Sequence, residues 1–148
     1  MQQGKVYLVF YPINFDNTQK EPLCHSSVIV DFAGESTAKE VIGYEMHITP
    51  KEDGGTELTI RKNSVISGAQ IYSLGRLTQR KKNNPFSWAI EVTSDIARLY
   101  NNLVNIYGTG WSDFVNCHAF SLLVIEKLGL FEQFSYYKKN FQRTILIT

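Results

Sequence analysis

The chain is 148 residues long, the size of one ordinary domain with room for a proper core, and residues 1–148 are expected to form a single domain. Hydrophobic residues make up 43% and aromatics 13% against 20% charged, which excludes a disordered chain. Fifteen Lys+Arg against fourteen Asp+Glu leave a charge of +1, so no global field draws the chain to nucleic acid or an anionic membrane.

At the N-terminus, MQQGKVYLVFYPINF lacks a signal-peptide core and cleavage site, and no apolar run nears the roughly 20 residues of a membrane span. The expectation is a soluble, cytoplasmic protein, with secretion after removal of a signal peptide left open. Lys5 to Tyr11, β-branched and aromatic and ending at Pro12, reads as a first strand. The polar run Ile13 to Pro22 reads as a loop leading to His25.

Ser26 to Phe32 and Val41 to Ile48 read as a hairpin across Ala33 to Glu40. One in-phase register sets His25 across from His47, with Ser27, Ile29 and Asp31 on the face of His25, opposite Glu45, Gly43 and Val41. That polar face is a candidate for an active site, with His47 and Glu45 as candidates to orient the imidazole of His25. Its plainer reading is the solvent side of an antiparallel sheet.

Glu57 to Arg61 alternates as a short strand, and Ala69 to Leu77 continues with another, interrupted near Gly75. The basic run Gln79 to Pro85, extended by Arg76, lacks the interleaved aromatics of single-strand binding and reads as a solvated loop. Phe86 to Val92 fits strand or helix. From Thr93 or Ser94 a helix is expected to Tyr107, with Ile96, Leu99, Tyr100, Leu103 and Tyr107 on one face and Gly108 as its stop. A second helix spans roughly Asn116 to Leu128, followed by Gly129, and Thr144 to Thr148 reads as a last strand. The fold class expected is α+β, an antiparallel sheet of about five strands packed against helices.

Cys117 falls in the first turn of the second helix, where unpaired N–H groups and the positive end of the dipole favour thiolate over thiol. A nucleophilic cysteine needs a base, and His25 is the upstream candidate. Cys24 and Cys117 also allow one disulfide. Adjacent strand residues face opposite ways, so disulfide and dyad are competing hypotheses. Paired short spacings typical of structural zinc are absent, and no metal or cofactor is expected.

His25 opening a strand in the first third, then Asn116-Cys117-His118-Ala119-Phe120-Ser121 opening a late helix, resembles the circularly permuted papain-fold thiol hydrolases. The PPPDE (desumoylating isopeptidase-like) peptidases share the His-first, Cys-last dyad and the N-C-x-x-F-S helix start. The LRAT-like/NlpC-related group adds a second strand histidine, for which His47 is the candidate. The resemblance implies a circularly permuted papain-like fold and a thiol hydrolase acting on a peptide, isopeptide or acyl substrate. Cys117 would be the nucleophile and His25 the base. The backbone N–H of Cys117 would hold the oxyanion, with the side chain of Asn116 or Asn101 as a further donor. The competing class is a non-enzymatic effector or adaptor, an α+β scaffold that presents its loops and basic patch to a protein partner.

Overall fold

The computed structural model describes residues 3–13, 23–65, 70–77 and 84–132, without the side chains at 12, 13, 23 and 24. Within these residues lie strands β1 (Lys5–Ile13), β2 (Leu23–Asp31), β3 (Val41–Pro50), β4 (Thr56–Val65) and β5 (Gln70–Arg76), then helices α1 (Pro85–Tyr107) and α2 (Cys117–Lys127). The strands form one antiparallel sheet in the order β4-β3-β2-β1-β5. The α+β class and the five-stranded sheet are thus as read from the sequence. The expected strand Thr144 to Thr148 and the basic residues Arg80 to Lys82 lie outside the described residues. No helix among those described is long and apolar enough to cross a membrane.

Alternation along the strands divides the sheet into two faces. Val6, Leu8, Phe10, Val28, Val30, Met46 and Ile48 form one, and they bury against Trp88, Val92 and Ile96 of α1 and Phe120, Val124 and Ile125 of α2. The other carries a smaller apolar cluster of Tyr7, Val9, Ile29, Val41 and Val65, with Tyr11 and Ile71 packed on it. This second face is not the solvent side of the sheet. Ser27 and Asp31 are buried on it, and so is Glu45.

Several boundaries differ from the sequence reading: β4, expected over Glu57 to Arg61, runs Thr56–Val65. β1 runs through Pro12 to Ile13, where it pairs with Cys24 and Leu23 of β2; among the described residues its ladder with β5 reaches Phe10. α1 starts at Pro85 rather than Thr93: Asn84 caps it by accepting from Ser87 N at 2.8 Å, and Pro85 takes the first-turn position that needs no donor. The interruption near Gly75 is a register shift in which Val6 pairs with Gly75 and Tyr7 with Ser73, leaving Leu74 as the extra residue.

Register differs as well. β2 and β3 pair as Val28↔Met46, Ile29↔Glu45 and Val30↔Tyr44, two residues away from the register that sets His25 opposite His47. A slide of two keeps every side chain on its face, so the expected face composition survives the shift. Gly43 is fixed by the pairing: a Cβ there would lie 2.4 Å from the Val30 carbonyl oxygen.

Candidate active site

α2 begins where Asn116 turns the chain. Its side-chain oxygen accepts from Ala119 N at 2.9 Å, and its amide donates to the carbonyls of Ser112 and Asp113 at 2.9 and 3.1 Å. The side chain of Asn116 is therefore spent on capping α2 and closing the preceding loop, and Asn101 lies on the exposed side of α1. The loop is pinned to the β3–β4 turn by Trp111 N donating to Gly54 O at 3.0 Å and by Thr56 Oγ1 donating to Thr109 O at 2.8 Å.

A buried seam fastens the first turn of α2 to β2. Ser26 Oγ lies 2.9 Å from His118 Nδ1 and 3.0 Å from Ser121 Oγ, and it donates to the Cys117 carbonyl at 3.3 Å. His118 thus packs inward against β2. The Cys117 sulfur faces the N–H groups of Ser26, His118 and Cys117 itself. Since the Ser26 nitrogen is bonded to His25, the thiol sits beside the peptide that joins His25 to Ser26. Two motifs 91 residues apart in sequence are neighbours in space.

Cys117 is a free thiol, which removes the Cys24–Cys117 disulfide. It is only 5% exposed. Burial pushes its pKa up, and the facing N–H groups offset that only in part. The expectation of a thiolate at rest is corrected here: a helix N-terminus favours the anion, but desolvation of a nearly enclosed sulfur outweighs it.

His25 turns toward the second face of the sheet. Its Nε2 lies 2.6 Å from His47 Nδ1, and its ring stacks beside Tyr11 at 6.0 Å between centroids. No hydrogen bond between His25 and Cys117 is recorded among the described residues. His47 Nε2 in turn lies 3.9 Å from Glu45 Oε1. Glu45 accepts from Tyr11 OH, from Ser27 Oγ at 2.6 Å and from Asn63 Nδ2 at 2.9 Å. Burial alone would raise the Glu45 pKa, but these three donors and His47 outweigh it and hold the carboxyl below its ordinary value.

Both imidazoles are held neutral. Burial is the main cause for each: it lowers His25 to about 4, with His47 and His118 adding to the effect and Glu45 opposing it. His47 is lowered by burial and by Arg61, again against Glu45. An ionised Glu45 favours the His47 tautomer with its proton on Nε2. His47 Nδ1 then accepts from His25 Nε2–H, and the lone pair of His25 is left on Nδ1. In the chain Glu45, His47, His25 both imidazoles are thus neutral, with the free nitrogen of His25 at Nδ1.

No known family, curated protein or solved structure matches the chain. No group of three or more His, Cys, Asp or Glu suited to holding a metal ion occurs among the described residues. Of the residues singled out in the sequence, His47 joins His25, while Cys117 lies beside the peptide joining His25 to Ser26 with the imidazole on the other face of the sheet. Asn116 serves as a cap. The sequence reading passed over Tyr11, Ser26 and Asn63. Tyr11 was findable: in an antiparallel pair it stands opposite His25 and so shares its face.

Proposed function

We propose that the chain is a cysteine hydrolase of the permuted papain-like kind, acting on a peptide, isopeptide or acyl substrate. The carrying observation is that the Cys117 sulfur faces the N–H of Ser26, next to His25, while His47 and Glu45 back the imidazole. Thiol and imidazole are both neutral at rest, so the proton moves only when substrate is bound. The step requires His25, which at rest lies on the face of β2 opposite α2, to leave its contact with His47, swing around the strand and accept the thiol proton on Nδ1. The thiolate attacks the carbonyl carbon, forming a C–S bond, and the oxyanion is held by backbone N–H at the start of α2. The imidazolium then protonates the leaving group as its bond to carbon breaks. Water, deprotonated by His25, resolves the thioester to acid and free thiol.

The test is acylation by p-nitrophenyl acetate in a Cys24→Ser background, with the adduct located by mass spectrometry. The expected outcome is an acetyl group on Cys117, formed roughly 100-fold more slowly in His25→Ala. Absence of the adduct, or an equal rate without His25, sinks the reading. The 5% exposure of Cys117 favours the competing class, a non-enzymatic interaction module, and that second outcome is what would support it.

A further inference from the structure

On the side of α2 away from the sheet lies an open groove of about 360 Å³, formed with the end of α1 and the loop before α2. Leu122 and Leu123 line it from α2, Tyr107 from α1 and Phe114 from the loop. Tyr107 and Phe114 stack at 4.6 Å between centroids, yet stay 48% and 59% exposed. A contiguous apolar trough of this kind is a surface through which proteins can associate.

Among the described residues the lining includes two carboxylates, Asp113 ahead of α2 and Glu126 near its end, and no cationic side chain. Glu126 sits at the negative end of the α2 dipole, where a carboxylate is unfavourable, and it is exposed. Two acids flanking an apolar trough complement a ligand that is apolar in the middle and positive at its ends. The volume falls in the range of about 300–1,000 Å³ that holds small ligands and side chains. A second copy of this chain docked face to face would set these carboxylates against each other.

We propose that this groove docks a short peptide segment carrying two apolar side chains flanked by lysine or arginine. The site is separate from the thiol: the groove uses the outer stripe of α2, and the sulfur of Cys117 faces β2. Binding therefore stands whether or not Cys117 is a nucleophile.

The experiment is fluorescence anisotropy of the full chain with a labelled Lys-Lys-Leu-Ala-Ala-Leu-Lys-Lys peptide and its counterpart with glutamate in place of lysine. The lysine form should bind at least about 10-fold tighter, with a preference that shrinks in high salt. Asp113→Lys with Glu126→Lys should reverse the preference, and Leu123→Asp should abolish binding. Leu123 is partly buried and its variant may be checked by circular dichroism, while Glu126 is exposed and its substitution leaves the core untouched. Equal affinity for both peptides, no binding, or binding that ignores these substitutions overturns the proposal. So does a dimer in sedimentation equilibrium that Leu123→Asp dissociates, since the occupant would then be a second copy.

Discussion

His25 and His47 are depressed bases, and the sign of their effect on stability follows from which state takes a proton first. Between pH 6.5 and about 4 the unfolded chain carries the proton on His25 and the folded chain does not. Acid therefore favours unfolding in that window, and stability is full only above it. Glu45 extends the loss to lower pH, because its folded-state carboxyl lies below the ordinary 4.5. Urea unfolding at pH 7 and pH 5 should show the difference, and His25→Gln should flatten it; an unchanged slope would refute the assignment. Ser26 is the other residue with several duties, since His118, Ser121 and the Cys117 carbonyl share its hydroxyl. Ser26→Ala is expected to cost about 1–3 kcal/mol in chemical denaturation, and to raise alkylation of Cys117 by iodoacetamide as the seam loosens.

At the scale of elements, the two helices are held in place by their first residues. Asn84→Ala and Asn116→Ala each remove an N-cap and should lower stability by about 1 kcal/mol, readable as a shift in urea midpoint. The β2–β3 pair is less forgiving: Gly43→Ala drives a methyl into the Val30 carbonyl, a backbone atom that cannot step aside, and should cost about 1–3 kcal/mol. These elements also show what was legible in the sequence. The faces of β2 and β3 could be read because strand side chains alternate with period two. Their register could not, because a slide of two preserves that alternation. The first turns of α1 were hidden by β-branched Ile90, Val92 and Thr93, although Asn84-Pro85 carried a cap followed by the residue best suited to a first turn. The thiol state was misread for a different reason. A dipole argument needs only local sequence, whereas burial of Cys117 depends on β2, some ninety residues upstream.

For the whole molecule, the strand order has a consequence for how the sheet is shaped. β4 and β5 follow each other in sequence, yet occupy opposite edges. Five peptide steps join Val65 to Gln70, a reach of at most about 18 Å. Four gaps between flat strands already span roughly 19 Å, and the two ends also lie at different heights, Val65 level with Val41 and Gln70 level with Phe10. The tether is too short for a flat sheet, so the sheet must roll until its edges approach. That roll accounts for Val65 and Ile71, from opposite edges, sharing one cluster, and for the burial of a face that neither α1 nor α2 covers. It also turns both edge strands toward each other and away from neighbouring molecules, which is a defence against strand-to-strand aggregation. Inserting a few glycines between Val65 and Gln70 would slacken the roll. The expected cost is seen less in the folding free energy than in light scattering, as two unpaired edges become available to other copies.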